Sequence, residues 1–214
     1  MGVVCNSFNR FVAPVCAAVT VSLCAVTGAA LTAGPAAAQG VAPAAPEPSA
    51  PIPKAGQGRL DSLFAQLQTT DPAEARRIAR EIALEWSKSG SPAMDLLLQR
   101  GQQALRGGDI DAAIGHLTAL TDHAPDFAEG FHTRAIAYAG ARLYGPALAD
   151  IARALTLQPR HFQAMFSLGA LMEELGQPDL ALQAFRNVRA IHPHHEGVTA
   201  AIERVTRELG GARL

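Results

Sequence analysis

Cysteine is scarce in this 214-residue chain, and its placement matters more than its number. All three cysteines, Cys5, Cys16 and Cys24, lie in an N-terminal stretch that we interpret below as a cleaved leader. The remaining chain would therefore hold no disulfide, no thiol nucleophile and no thiolate metal site. An exported protein without cysteine also avoids accidental oxidation.

Charged and aromatic side chains are also scarce. Charged residues make up 17% of the chain and aromatic residues 5%, and the formal net charge is −1. Loss of Arg10 with the leader would bring the net charge to −2. A nucleic-acid-binding domain carries a basic excess, so we expect no nucleic-acid partner. Low aromatic and high alanine content is typical of closely packed helices.

Catalytic signatures are missing as well. The chain has no Walker-type phosphate loop, no GxSxG and no HExxH sequence. Glu173 and Glu174 are adjacent, but consecutive helical residues point about 100° apart and cannot form a facing acid–base pair. The sequence therefore predicts a protein that is not an enzyme and needs no cofactor.

A period of 34 residues is what the chain does have. Pro125, Pro159 and Pro193 are spaced by this period. Small residues recur in the same phase at 113, 147 and 181, and again at 101, 135 and 169. A fixed period between 20 and 50 residues predicts a stack of repeated helical or strand units.

The clearest unit, residues 163–195, has the pattern of two helices. Met165, Leu168 and Leu175 recur at helical spacing, and Gly176 supplies a residue suited to ending a helix. Pro178 fits the first turn of the second helix, and Pro193 follows its end. Gly169 and Ala181 are expected where the helices cross, with Phe185 filling the space further along.

This pattern resembles the tetratricopeptide repeat. The pair Leu168-Gly169 and the set Ala181, Phe185 and Pro193 match the family's positions, as do Tyr138, Tyr144, Ala147, Ala154 and Pro159. Arg100 and Arg134 depart from it, because the family prefers leucine there. The resemblance implies an all-α, right-handed superhelical stack of helix-turn-helix repeats at residues 94–127, 128–161 and 162–195.

Both flanks of the array have helical patterns. Residues 59–93 are interpreted as a degenerate repeat or N-terminal cap, in which Asp71-Pro72 opens a helix and Glu74 completes a capping box. Trp86 is expected to pack over the exposed end of the first full repeat. Residues 196–214 are interpreted as a capping helix and tail, since stacked repeats need a terminal element with a polar outer face.

The N-terminal 38 residues are interpreted as a Sec-type signal peptide. Arg10 precedes an apolar stretch over residues 11–33, and Ala36-Ala37-Ala38 suits a signal peptidase. An uncleaved membrane anchor is the alternative. Residues 39–58, rich in alanine and proline, are interpreted as a linker. We expect a periplasmic or otherwise exported protein that meets a membrane only if this segment stays uncleaved.

The resemblance also implies a binding surface, because the first helices of successive repeats line the concave face in this family. Phe166 is the strongest single candidate, as an exposed apolar anchor for a peptide. The concave-face candidates are Gln99, Gln102, Arg106, Glu129, His132, Thr133, Gln163, Phe166, Ser167 and Glu173, with Asp95, Leu98, Ile136 and Ala170 on the same helices.

The function predicted is capture of a protein or peptide segment in the bacterial cell envelope, without bond making. A structural subunit of a larger envelope assembly is the alternative. A metal-binding protein is a third class, since His161, His192, His194 and His195 fall in or beside inter-repeat loops. Polar residues after the repeat's proline are ordinary in the family. We therefore expect these histidines to be solvated and predict no metal site.

Overall fold

The structure is a computed structural model that describes residues 57–211, with side chains from residue 58. The predicted signal peptide and most of the predicted linker lie outside this range. The described chain folds into helices only: α1 (Gln57–Thr69), α2 (Pro72–Trp86), α3 (Pro92–Gly107), α4 (Ile110–His123), α5 (Ala128–Gly140), α6 (Tyr144–Leu157), α7 (Phe162–Glu174), α8 (Pro178–Ile191) and α9 (Val198–Gly211). Helix α1 begins at Gln57, inside the range predicted as linker.

Consecutive helices pack as antiparallel pairs, and the pairs stack on one another. Helix α3 packs on α4, α5 on α6 and α7 on α8, while α4 contacts α5 and α6 contacts α7. The first helices also touch in series, α3 with α5 and α5 with α7. This arrangement confirms the predicted all-α repeat stack, and it places three first helices side by side as one wall.

Glycine permits the close approach of the helices within two of these pairs. A Cβ atom built on Gly101 would lie 2.5 Å from Leu117 Cγ, and one on Gly169 would lie 2.5 Å from Phe185 Cε1. Leu117 and Phe185 are fully buried. Phe185 therefore packs directly on Gly169 at the crossing, rather than further along the pair as we predicted.

Helix ends follow local sequence signals. The Asp71 carboxylate accepts hydrogen bonds from the backbone N–H groups of Ala73 (2.8 Å) and Glu74 (3.1 Å), as expected of an N-cap. The Glu74 carboxylate pairs with Arg77 one turn along. Gly176, with φ of 69°, follows the end of α7 in the left-handed conformation that favours glycine.

The N-terminal helix pair does not pack where we predicted. Trp86, at the end of α2, lies on the start of α7 instead of covering the end of the first full repeat. Its ring stacks on His161, with centroids 4.2 Å apart and planes 21° apart, and its centroid lies 5.1 Å from that of Phe162. From α1, the Phe64 ring meets Phe162 edge to face at 6.5 Å.

Polar contacts also join the same helix pair to the loops on either side of the third repeat. Arg160 pairs with Asp61 of α1, and its guanidinium carbon lies 4.3 Å from the centroid of the Phe64 ring. Arg76 of α2 lies 3.9 Å from Glu196 in the loop before α9. The first helices begin, and the second helices end, at this edge of the stack. The N-terminal pair therefore braces that edge, and we name it the N-terminal brace (residues 57–86).

A buried ion pair occupies one position where the repeat pattern expects leucine. Arg134 of α5 donates two hydrogen bonds to the Asp150 carboxylate of α6, at 2.7 and 2.8 Å, and one to Thr121 Oγ1 of α4 at 2.6 Å. Asp150 and Thr121 are both buried. The guanidinium thus ties three helices together by paired polar contacts, which compensate for its burial.

Helix α9 covers the last repeat. It buries Val198, Ala201, Ile202 and Val205 against the apolar core that contains Phe185 and Val188 of α8. On its outer side, Arg204 holds the Glu173 carboxylate of α7 with a hydrogen bond of 2.8 Å from Nη2. Among residues 57–211, no helix combines the length and apolarity needed to cross a membrane.

Replacing Gly169 with alanine should destabilise the fold, since the new methyl group would overlap the Phe185 ring. We expect the free energy of unfolding to fall by about 1–3 kcal/mol, as for other overpacked core sites. Gly115→Ala on α4 is the matched control, because no atom lies within 4 Å of its built Cβ. That variant should be neutral or slightly stabilising. Equal denaturation midpoints for both variants would contradict the close contact between α7 and α8 at Gly169.

Replacing Trp86 with alanine tests the N-terminal brace. Trp86 is 7% exposed against His161 and Phe162, so its loss should cost about 3–5 kcal/mol of unfolding free energy. Leu84→Ala on the same helix is the control, because Leu84 is 58% exposed and should change stability little. Urea denaturation followed by far-UV circular dichroism measures both, and similar small losses would argue against the brace.

Candidate functional site

Helices α3, α5 and α7 line one open cavity of about 420 Å³. His195, from the loop after α8, also lines it. We name this cavity, with the residues around it, the groove. The groove brings together eight of the ten residues that we predicted for the concave face: Gln102, Arg106, Glu129, His132, Thr133, Gln163, Phe166 and Ser167.

Two predicted concave-face residues lie outside the groove lining. Gln99 is exposed on α3, about one turn before Gln102, and does not line the cavity. Glu173 lies near the end of α7, where Arg204 of the capping helix holds its carboxylate. Leu98, which we placed on the same face, is buried in the core between α3 and α4.

The groove residues differ in how far a ligand could reach them. Arg106 and Ile136 are exposed, and Gln102, Gln163 and Ser167 are partly exposed. His132 and Thr133 are buried, and the Thr133 hydroxyl donates a 2.8 Å hydrogen bond to the Glu129 carbonyl. The groove thus has an accessible rim that is polar except for Ile136, and a floor in which most polar groups already have protein partners.

Phe166 has a mixed role that the sequence did not predict. We expected a ring exposed in the groove, and it does line the cavity. The ring is nevertheless partly buried, with its centroid 5.2 Å from that of Phe185 and 4.7 Å from that of His195. Phe166 therefore belongs to both the groove wall and the core, and its replacement would change stability as well as any binding.

A polar cluster lies at the groove floor and was missed by the sequence analysis. His161 Nε2 lies 2.9 Å from Glu129 Oε2, and His132 Nδ1 lies 3.6 Å from the same oxygen. His132 Nε2 lies 3.2 Å from Ser167 Oγ. The residues come from α5, from α7 and from the loop between α6 and α7. We name this set the floor cluster: Glu129, His132, His161 and Ser167.

His161 has one tautomer in this arrangement. The backbone N–H of Ala164 donates to His161 Nδ1 at 3.2 Å, so this side chain caps α7. The neutral ring then carries its proton on Nε2, which donates to Glu129. Burial lowers the pKa of His161, and the hydrogen bond to Glu129 opposes that effect only in part.

Glu129 stays ionised although it is mostly buried. Burial raises the pKa of its carboxyl, but the nearby His132 imidazole and the hydrogen bond from His161 outweigh burial and lower the pKa overall. Among the described residues, no arginine or lysine forms an ion pair with Glu129, and the basic side chains beside its carboxylate are the two imidazoles.

The loop histidines are not solvated as we expected. His161 is 0% exposed beneath Trp86, and His192 is buried with its ring edge to face against Phe162 at 5.2 Å. His195 is partly buried and contacts Phe162, and only His194 of the four is exposed. The N-terminal brace explains the error, because it covers this edge and its position is not visible in the repeat pattern.

Comparisons with known proteins agree with this architecture. The family model described as "Tetratricopeptide repeat" matches residues 163–195. A TPR repeat-containing protein of Rhizobium etli is 33% identical over 156 residues, which cover 72% of this chain and 76% of that protein. The chain belongs to the tetratricopeptide repeat family.

Solved structures show the same fold at low sequence identity. The TPR domain of Sgt2 from Aspergillus fumigatus superposes with a TM-score of 0.55 at 21% identity, covering 57% of this chain and 83% of that one. The first TPR of Spaghetti (RPAP3), bound to an HSP90 peptide, gives a TM-score of 0.54 at 22% identity, covering 56% and 95%. Both structures are similar to this chain in the fold of the helical stack.

The burial of His192 predicts that stability falls in mild acid. Burial, with the nearby charges of His195 and His194, lowers the pKa of His192 to about 4 in the folded protein. The unfolded chain takes up that proton near an ordinary pKa of about 6.5, so it binds more protons than the folded chain between these values. From pH 7 to pH 5 this group should remove about 1–2 kcal/mol of unfolding free energy.

His192→Gln should therefore show a smaller loss of stability between pH 7 and pH 5 than the unaltered protein. His123→Gln is the control, because His123 is exposed at the end of α4 and is not among the groups that lower the pKa of His192. Urea midpoints at several pH values make the measurement. A pH dependence that is identical in all three proteins would refute the burial of His192.

Proposed function

We propose that this protein captures a segment of a partner protein in the groove, without catalysis. The observation that carries the proposal is the groove itself, an open cavity of about 420 Å³ built from the first helices of three successive repeats. A preformed concave surface on rigid helices reduces the ordering cost of binding. Cavities of this size, with a mixed polar and apolar lining, are typical of binding sites.

The chemistry of the accessible rim favours an extended peptide. Gln102 and Gln163 offer amide donors and acceptors to a peptide backbone, and Arg106 offers a cation to an acidic side chain. Ile136, which is 43% exposed, and Phe166 supply apolar contacts. The similar first TPR of Spaghetti is bound to an HSP90 peptide, which supports peptide capture by this fold.

We further propose that the protein works outside the cytoplasm, in the bacterial cell envelope. This proposal rests on residues 1–38, whose single arginine, apolar stretch and Ala-Ala-Ala sequence are typical of a Sec-type leader. A cysteine-free remainder fits the same compartment.

Selection from a random peptide library tests the groove even while the partner is unidentified. The purified chain would select binders, and fluorescence anisotropy would give the Kd of the best peptide. Arg106→Glu and Ile136→Glu should each weaken that peptide at least tenfold, because both residues are exposed and line the groove. Arg186→Glu, at an exposed position on α8, should leave the Kd unchanged.

Two results would count against the proposal. One is a selection that yields no peptide with saturable binding. The other is a selected peptide whose affinity changes equally in the groove variants and in Arg186→Glu, since its site would then lie elsewhere.

A further inference from the structure

We propose that the floor cluster is a zinc site in which Glu129 Oε2, His132 Nδ1 and His161 Nε2 are the ligands. The proposal rests on the geometry of these side chains and is independent of peptide capture. Together they offer three ligand atoms that lie within 4.8 Å of one another. Imidazole nitrogen and carboxylate oxygen are ligands that suit Zn²⁺.

His132 contributes a ligand atom that is unsatisfied in the protein. The residue is 5% exposed, and its Nδ1 is buried without a hydrogen-bond partner. That atom lies 3.6 Å from Glu129 Oε2, which is too long for an N–H···O bond. Two ligand atoms that each lie about 2.0–2.1 Å from a tetrahedral Zn²⁺ are about 3.3 Å apart. The distance of 3.6 Å between His132 Nδ1 and Glu129 Oε2 is close to this value.

The orientation of the His132 ring also suits a metal. In the tautomer that binds zinc through Nδ1, Nε2 carries the proton and donates it to Ser167 Oγ, which lies 3.2 Å away. A partner that holds the other ring nitrogen in this way fixes the tautomer and orientation of a metal-binding histidine. Ser167 would therefore act as a positioning residue for the metal.

The charge of the floor cluster favours a cation. The Glu129 side chain is 12% exposed, and its ion-pair partners among the described residues are imidazoles rather than arginine or lysine. Buried charges are normally paired or coordinate a metal. A divalent cation at this position would neutralise the carboxylate and leave a fourth coordination position toward the groove, because Glu129 and His132 both line it.

Binding has a structural cost that limits its affinity. His161 Nδ1 accepts the Ala164 N–H, so its proton lies on Nε2, the atom that would bind zinc. Coordination moves that proton to Nδ1 and breaks the α7 cap, and the two rings must also approach each other. We therefore expect weaker binding than that of a site with all ligands preset.

The test uses untagged protein of residues 39–214, stripped with a chelator and then titrated with ZnSO₄ by isothermal titration calorimetry. We expect one saturable zinc per chain. Glu129→Gln and His132→Gln should each weaken binding at least tenfold, and Ser167→Ala by about tenfold through loss of the positioning contact. His123→Gln, an exposed histidine at the end of α4, is the control and should bind like the unaltered protein.

A second readout needs no variant and so does not depend on how well variants fold. Co²⁺ added to the unaltered protein should give the intense visible bands of a four- or five-coordinate site, and Zn²⁺ should remove them by competition. Absence of one-to-one zinc binding, a Co²⁺ spectrum like that of the hydrated ion, or binding that survives in both Glu129→Gln and His132→Gln would overturn the proposal.

Discussion

The stacking of Trp86 on His161 is the contact on which the rest of this structure depends. The indole covers the imidazole at 4.2 Å, and His161 is left with no exposed surface. In that position Nδ1 caps α7 and Nε2 points at Glu129 of α5. One ring contact therefore joins the N-terminal brace to the start of α7 and to the floor of the groove.

The sequence predicted the repeat stack well because the stack depends on local rules repeated at a fixed period. Gly101 and Gly169 are needed at crossings where Leu117 and Phe185 leave no room for a Cβ, and such residues recur visibly in the sequence. The groove could also be predicted, because the repeat phase assigns which helices line the concave face. Eight of the ten predicted residues do line one cavity, while their part in binding stays a prediction.

The sequence could not show the contacts between segments that are far apart in the chain. The brace packs Trp86 on residues about 75 positions later, and no periodicity encodes that pairing. For the same reason the burial of His161 and His192 was missed, and so was the floor cluster. The ion pair of Arg134 with Asp150 was also missed. The sequence shows that an arginine stands where the family has leucine, but it does not show which carboxylate the arginine contacts.

The most direct test of this account is a measurement of proton contacts between Trp86 and His161 in the intact protein by nuclear Overhauser spectroscopy. Trp86 is the one tryptophan in the chain, so its indole resonances are assigned without ambiguity. At a centroid separation of 4.2 Å, cross-peaks between the two ring systems should be strong. Their absence, with cross-peaks from the indole to α3 or α4 instead, would show that the brace covers the first repeat and would contradict the arrangement of the groove floor described here.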